Sequence, residues 1–395
     1  MRPSDPLRFA RSCRGAPALA IACAARALAI ARALAIALPL LAASGCAIPL
    51  DEPREVAPPP PEPSPLAAPG CLLFHPSAPD RPVSMLDGPG RSMELPSGEW
   101  LWLFDSATTS SGAVSVPGAA VAPGTSSAGC FATTPFQGGD TPAPLIDTSA
   151  LGAGRFGMPL DGARLGETSV LYVSVLEDAP EEPFGVRAEG IGVATWDPEA
   201  RLFVVKSPLL WTADRPSYGS SVLAEGEWLY VHGCKRRAGT LDNDCFVARA
   251  AQGRFDDGTA YEYFVGGGGW VATIDDAAPI VAGGPSASVR HYPDRNRYLM
   301  SVITTLGDTI ELRTGLGPEG PWSGPVRVAT CTIPDDPGAF CAGAVQHPEV
   351  TGASSTLALS FTIPSLSSDA GERRAAAPES YWPRLVLLPW PDELP

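Results

Sequence analysis

The sequence predicts an all-β fold made of repeated four-stranded units, and three features support this. After residue 70, Gly, Pro, Asp and Ser interrupt short apolar runs throughout the chain. No long stretch keeps a helical period. Five apolar runs begin at intervals of roughly 60 residues, the length of four short strands with their loops. These runs are Trp100–Phe104, Val170–Val175, Trp228–Val231, Tyr298–Ile303 and Leu357–Phe361.

Each apolar run stands second in a recurring order of elements. Polar, extended stretches precede four of the runs: RSMELPSGE, YGSSVLAEGE, ASVRHYPDRN and AVQHPEVTG. The stretches IGVATW, FVARA and IELRTG follow three runs, each with a turn and a further extended segment behind it. About five such units predict a five-bladed β-propeller, with residues 381–390 as the last strand of the last blade. The alternative is a double β-sandwich, whose short strands would lack this order.

The first 45 residues have the features of an export signal peptide. Arginines at positions 2, 8, 11 and 14 precede the uncharged apolar run Ala33–Leu41, which is too short to span a bilayer core of ~30 Å. Residues 41–46, LAASGC, resemble the lipobox of bacterial lipoproteins, with Cys46 as the lipidated residue. The alternative is cleavage by the ordinary signal peptidase, which would leave Cys46 as a spare thiol.

The expected location follows from Cys46. A lipid on this residue anchors the protein to a membrane of the cell envelope. Ala47 replaces the Asp that retains lipoproteins in the inner membrane, so by resemblance we expect the outer membrane, facing the periplasm or the cell surface. Residues 46–70 are proline-rich and predict an extended tether, and residues 71–395 predict a single domain.

The charge excludes one class of partner. The chain holds 28 basic and 43 acidic side chains, and residues 1–45 contain six of the former and one of the latter. The rest of the chain therefore carries a net charge of −20. Nucleic acids require a basic surface, so we expect no nucleic-acid partner.

The cysteines predict disulfides. Six remain after Cys46, an even number that in an exported chain indicates disulfide pairing. Proximity in sequence favours Cys234–Cys245 and Cys331–Cys341, which leaves Cys71–Cys130, although six cysteines allow 15 connectivities. A metal–thiolate site is the alternative. We expect no metal and no cofactor, because no CxxC motif occurs.

Five stretches of the chain resemble a known family. They are GEWLWLFDS (98–106), YGSSVLAEGEWLYVHGC (218–234), RTGLGPEGPWSGP (313–325), QHPEV (346–350) and YWPRLVLL (381–388). The family is a bacterial exported domain of unknown function with a five-bladed propeller fold, related to the sialidase-like and arabinanase-like propellers of glycoside hydrolases. The resemblance covers about residues 90–390 and implies a fold and a central site. Where the family often has Gly-Asp-Thr, this chain has Phe104-Asp105-Ser106.

The polar stretch before each apolar run is the candidate innermost strand, which in a propeller lines the central axis. Glycoside hydrolysis needs two carboxyl groups, ~5 Å apart for retention and ~6.5–9.5 Å apart for inversion. We expect Glu349 to be the acid and Asp105 its partner, although a salt bridge or a turn hydrogen bond would explain either residue. The candidate substrate-binding residues are Tyr218, Ser220, Arg290, His347, Glu167 and two platforms for sugar stacking, Trp211 and Trp270.

Two functions remain open from the sequence. The first is a carbohydrate-active protein that binds, and in its fullest form hydrolyses, a glycan in the central pocket. The second is a non-catalytic surface propeller that binds a glycan or a protein. The altered Gly-Asp-Thr motif favours the second function, and the axial carboxylates favour the first.

Overall fold

The computed structural model describes residues 71–72, 83–109, 114–115, 118–121, 134–135, 145–182, 185–331, 335–351, 355–377, 380–392 and 394. The chain divides into two compact units, residues 1–60 and 61–395, and every described residue lies in the second. The predicted signal peptide, Cys46, the tether and Cys130 lie outside the described residues. Among the described residues, no helix is long and apolar enough to cross a membrane.

Strands dominate the described residues. In the N-terminal half they are β1 (Cys71–Leu72), β2 (Val83–Asp87), β3 (Arg91–Glu94), β4 (Trp100–Phe104), β5 (Ser106–Thr109), β6 (Val114–Ser115), β7 (Gly118–Val121), β8 (Thr134–Pro135), β9 (Ile146–Asp147), β10 (Arg155–Leu165), β11 (Thr168–Asp178), β12 (Val186–Asp197) and β13 (Leu202–Thr212). In the C-terminal half they are β14 (Ser221–Glu225), β15 (Trp228–Arg236), β16 (Asn243–Ala251), β17 (Glu262–Gly266), β18 (Gly269–Val271), β19 (Val281–Gly283), β20 (Ala287–Tyr292), β21 (Arg297–Ile303), β22 (Thr309–Gly315), β23 (Val326–Thr330), β24 (Ala342–Gln346), β25 (Thr356–Thr362) and β26 (Arg384–Pro389).

Helices are short. The α-helices among the described residues are α1 (Pro348–Thr351) and α2 (Ala370–Ala376). The 3-10 turns are Ser149–Leu151, Gln252–Arg254, Gly258–Ala260, Ile274–Asp276 and Pro293–Arg295.

Most strands form five successive sheets, which we number I to V. In the described residues, sheet I is β3-β4-β7-β8, sheet II is β10-β11-β12-β13 with β9 added, and sheet III is β14-β15-β16-β17-β18 with β19 added. Sheet IV is β20-β21-β22-β23, and sheet V is β24-β25-β26-β1. We call the first strand of each sheet its inner strand. The strands β2, β5 and β6 make a separate small sheet.

The second strand of each sheet is apolar on both faces because the sheet packs against a neighbour on either side. In β11, Leu171 and Val173 join a core cluster with Met93 of sheet I. Val170 and Tyr172 alternate with them and join a cluster with sheet III. Fully burying one such side chain contributes about 1.5–3 kcal/mol. Similar clusters join sheets III and IV and sheets IV and V.

The last sheet is completed by the start of the domain. Strand β26 pairs with β25 on one side and with β1 on the other, where Cys71 lies opposite Leu385. Residues 381–390 contain β26, the last strand of this sheet in chain order, and β1 adds a strand at its outer edge. The segment before β26, which has no clear pattern in the sequence, contains α2.

The predicted apolar runs coincide with β4, β11, β15, β21 and β25, the second strands of sheets I to V. The predicted order of elements follows the order of strands in the sheets. An all-β, propeller-like fold is thus confirmed, whereas the number of blades stays a prediction.

Candidate active site at the inner strands

The inner strands lie side by side, which brings residues of different sheets together. Contacts join β3 to β10, β10 to β14, β14 to β20, and β20 to β24. At the remaining seam, Gly343 of β24 lies so close to Pro89 that a Cβ atom would stand 2.7 Å from the proline ring. Side chains along these strands can therefore meet across several sheets.

A buried ion pair links sheets II and IV. Arg290 Nη1 donates to Asp161 Oδ2 at 2.9 Å and Nη2 to Oδ1 at 3.1 Å, and the side chains are 11% and 2% exposed. The backbone N–H of Val222 in sheet III also donates to Asp161. Burial lowers the pKa of Arg290, but the charge and hydrogen bonds of Asp161 outweigh it, so the net shift is upward. The partners of Asp161 lie in sheets III and IV, so this carboxylate of sheet II links three sheets.

Local backbone geometry places Asp161. The pairing of β10 with β11 shifts register between Pro159 and Gly162, which is a bulge that redirects the residues inside it. A Cβ atom at Gly162 would lie 2.4 Å from the carbonyl oxygen of Val170, so only glycine fits there. No repeated motif marks this strand in the sequence, so Asp161 is not among the predicted site residues.

A second cluster closes the seam between sheets V and I. His347 is fully buried, and its Nδ1 lies 2.7 Å from Ser92 Oγ and 3.3 Å from Glu349 Oε1. Its Nε2 lies 2.6 Å from Ser360 Oγ, and its ring stacks on Trp102 at 4.2 Å. Burial raises the pKa of Glu349, but hydrogen bonds from His347 and Ser92 outweigh it and hold the pKa below its ordinary value. Glu349 is therefore an ionised carboxylate near neutral pH.

Asp105 has the opposite environment. It follows β4 and lies 3.6 Å from Arg91 Nη1 of the inner strand β3, with 34% of its side chain exposed. Gly88 packs against the Asp105 carboxyl, which stays partly exposed. Burial raises the pKa of Asp105, Arg91 opposes the shift, and Asp87 adds to it. The net shift is upward, as a proton donor requires.

Arg91 and Ser92 connect these two carboxylates. They are consecutive residues of β3: Arg91 pairs with Asp105, and Ser92 contacts both His347 and Glu349. The two predicted catalytic residues thus contact consecutive residues of one inner strand, whose side chains point to opposite faces of that strand.

Several buried polar atoms in this region have no protein partner among the described residues. They are Arg91 Nε, Tyr292 Oη and Gln346 Oε1. Burial raises the pKa of Tyr292, and the charges of Arg290 and Glu349 also influence it. An unpaired buried polar atom costs about 1–3 kcal/mol, so water or a ligand is expected beside them.

Two predicted ligand residues belong to the core. Trp211 is 4% exposed and Tyr218 is fully buried, in an aromatic cluster between sheets II and III. The Trp211 indole N–H donates to Tyr263 Oη at 2.8 Å. Neither ring offers a face to a sugar, so their predicted role in substrate binding is corrected. Trp211 was a candidate because it lies near Gly- and Pro-rich loops, and Tyr218 because it lies in a predicted innermost strand.

Three further predicted residues have other surroundings. Glu167 is exposed in the two-residue turn between β10 and β11. Ser220 donates to the carbonyl of His232 within its own sheet. Trp270 has Arg249 stacked on its ring at 4.2 Å, and Arg249 stacks equally on Trp228, so this platform already holds a cation. Among the predicted substrate-binding residues, Arg290 contacts Asp161 and His347 contacts Glu349.

Two predicted disulfides are present, Cys234–Cys245 between directly opposed strand residues and Cys331–Cys341. The pairing of Cys71 with Cys130 stays a prediction. Among the described residues, no group of three or more His, Cys, Asp or Glu side chains could hold a metal ion.

Comparisons with known proteins agree with the fold. Residues 192–367 match the model of a family described as a domain of unknown function, DUF4185. The expected resemblance to a domain of unknown function is thus confirmed for these residues. The fold is similar to a putative hydrolase from Bacteroides ovatus ATCC 8483, with 16% identity, a TM-score of 0.58, and coverage of 80% of this chain and 89% of that chain. Similarity to a GH43_1 enzyme from Xanthomonas citri is weaker, with 13% identity, a TM-score of 0.46, and coverage of 78% and 88%. No curated protein sequence matches this chain.

Proposed function

We propose that this protein is an exported, lipid-anchored glycoside hydrolase whose sheets I to V are five propeller blades. Asp105 donates the proton to the leaving oxygen, and Glu349 acts as the base or nucleophile. This distribution reverses the roles expected from the sequence, where Glu349 was the acid.

One observation carries the proposal. The environments of Asp105 and Glu349 push their pKa values in opposite directions, upward for Asp105 and downward for Glu349. Glycoside hydrolysis uses one protonated and one ionised carboxyl group, and such a divergence is how enzymes assign the two roles. The fold is similar to that of a putative hydrolase, which agrees with a hydrolytic reaction.

The neighbouring residues suit these roles. His347 and Ser92 donate hydrogen bonds that keep Glu349 ionised, and the partial exposure of Asp105 keeps its carboxyl open to a leaving group. The ion pair of Asp161 with Arg290 is already saturated, so we assign it to holding the inner strands and not to the reaction.

The second candidate function is glycan binding without turnover. The observation that favours it is the low exposure of Glu349, whose side chain is 9% exposed. In that case the buried unpaired atoms of Tyr292 and Gln346 would bind sugar hydroxyls.

A panel of aryl glycosides and natural oligosaccharides separates the two functions. We expect Glu349→Gln to lower kcat/KM by about 10²–10⁴-fold on every substrate that is cleaved. Asp105→Asn should lower turnover strongly on natural glycans and less on aryl glycosides, whose leaving groups need little protonation. The control is Glu167→Gln, an exposed turn residue, which should match the wild type. Turnover that survives Glu349→Gln unchanged would contradict the assignment, and binding without any turnover would favour the second function.

The anchor is tested separately. We expect metabolic labelling with a fatty acid to mark the full chain and not Cys46→Ser. Labelling of the variant would contradict the lipid anchor.

A further inference from the structure

We propose that Arg374, on helix α2, is a positioning residue for Asp105 and acts on it through Asp87. This inference rests on the proposed role of Asp105 as the proton donor. It adds a residue that lies far from Asp105 in sequence and does not itself touch the reacting atoms.

The contact between Arg374 and Asp87 is specific. Arg374 Nη1 lies 3.1 Å from Asp87 Oδ1 and 3.2 Å from Oδ2, and the side chains are 22% and 28% exposed. The guanidinium also lies over the ring of Tyr381, 5.7 Å from its centre. Partial burial on both sides weakens screening by water, so the charge of Arg374 is felt by its neighbours.

Asp87 is in turn fixed against Asp105. The backbone N–H of Asp105 donates to the carbonyl of Asp87 at 2.8 Å, and Asp87 pairs with Ser106 in the small sheet. Between them, Gly88 has φ +95°, and a Cβ atom there would lie 2.7 Å from Asp105 Cγ. The loop therefore cannot move away from the carboxyl without losing these contacts.

The charges around Asp105 then give Arg374 a definite effect. In the described residues, Arg91 of β3 and Asp87 of β2 face Asp105, the first attractive and the second repulsive. Arg374 holds both oxygens of the Asp87 carboxylate. Without Arg374 this carboxylate would be free to turn toward Asp105, so it would disfavour ionised Asp105 more strongly and the pKa of Asp105 would rise further.

A purely structural brace between α2 and β2 is the rival explanation. It predicts a loss of stability on substitution and no change in the titration of Asp105. Arg374→Lys keeps the positive charge but removes the guanidinium whose Nη1 contacts both oxygens of Asp87, so it separates the two explanations.

The test is a pH titration of the full-length protein labelled with ¹³C at the aspartate carboxyl carbon. The Asp105 resonance is identified by its absence in Asp105→Asn. We expect Arg374→Gln to raise the midpoint of Asp105 by about half a pH unit or more, and Arg374→Lys to leave it near the wild-type value. Asp87→Asn should lower the midpoint, and in that background Arg374→Gln should shift it much less.

Each outcome decides the matter. An unchanged midpoint in Arg374→Gln, or an equal shift with and without Asp87, would overturn the inference. If Arg374→Gln does not fold, Asp87→Asn alone decides, because a midpoint that does not fall contradicts coupling through Asp87. A hydrolase should also show an alkaline limb of kcat/KM that moves to higher pH in Arg374→Gln. Absence of turnover with the expected titration shifts would refute the proposed function and leave the coupling intact.

Discussion

Two ion pairs border the inner strands, with arginines that are similarly buried and carboxylates that differ. Asp161 of sheet II and Arg290 of sheet IV form two hydrogen bonds, and the Asp161 side chain is 2% exposed. Arg91 and Asp105 approach only to 3.6 Å, and the carboxylate is 34% exposed. The first pair has no capacity left for a ligand, whereas the second keeps a free side facing water.

The difference shows that burial alone does not identify a chemical site. A saturated buried pair resists change because removing either partner leaves an uncompensated charge in a low-dielectric interior. A loosely held, partly exposed carboxyl can gain and lose a proton at little structural cost. We therefore assign stability to Asp161 and Arg290, and proton transfer to Asp105.

The largest effect is expected when the buried pair is broken. Arg290→Met should lower the free energy of unfolding by about 3–5 kcal/mol, because Asp161 stays buried without its cation. Arg187→Met is the control, since Arg187 is 50% exposed in its pairs with glutamates, and it should change stability far less than Arg290→Met. Denaturant unfolding measures both. Equal losses would show that the two kinds of pair do not differ.

A smaller loss is expected at the seam between sheets V and I. His347→Gln should cost about 2–4 kcal/mol, because buried Ser92 and Ser360 lose their hydrogen-bond partner. The pKa of Glu349 lies below its ordinary value of 4.5, so its contribution to stability is present above that pH and is lost as the pH falls. Unfolding at neutral and acidic pH should show a weaker acid dependence in His347→Gln than in the wild type. An unchanged acid dependence would mean that His347 does not hold Glu349 ionised.

Asp105→Asn should leave stability near pH 7 unchanged or raise it. The folded-state pKa of Asp105 lies above its ordinary value of 3.8, so its favourable contribution exists below that pH and is lost as the pH rises through the folded-state pKa. Asparagine carries no charge, so the variant avoids that loss, and its advantage should disappear near pH 3. A variant that is clearly less stable at neutral pH would place Asp105 with the structural pairs.

The smallest effect is expected at Tyr218. Its hydroxyl is buried and has no hydrogen-bond partner among the described residues, so Tyr218→Phe should change stability by less than about 1 kcal/mol. Glycan binding should not change, because the ring lies in the core between sheets II and III. Isothermal titration with the best ligand of the panel checks this, and weaker binding would return Tyr218 to the site.

The sequence predicted the sheets better than the site. Apolar runs such as Trp100–Phe104 are visible because a strand buried on both faces has few polar residues, and their spacing showed the repeat. The inner strands were visible as polar stretches before those runs. Glu349 and His347 were found in this way, since His347 follows β24 directly.

Asp161 was missed for a physical reason. Strand β10 reads as an ordinary alternating strand, and only the bulge at Pro159–Gly162 turns Asp161 toward Arg290. Trp211 was misassigned because a tryptophan beside loops has the same local sequence whether the neighbouring sheet covers it or not. Asp87 influences the pKa of Asp105, and Ser92 influences the pKa of Glu349. Neither neighbour belongs to the same local motif as the carboxyl group it influences, so the two roles could not be predicted from local motifs.

A titration of both carboxyl groups in one sample tests the central claim most directly. Free aspartate ionises at a lower pH than free glutamate, with ordinary values of 3.8 and 4.5. In the folded protein, labelled with ¹³C at both side-chain carboxyl carbons, we expect the order to be reversed, with Asp105 ionising at a higher pH than Glu349. If Asp105 ionises first, as in the free amino acids, the proposed division into acid and base is wrong.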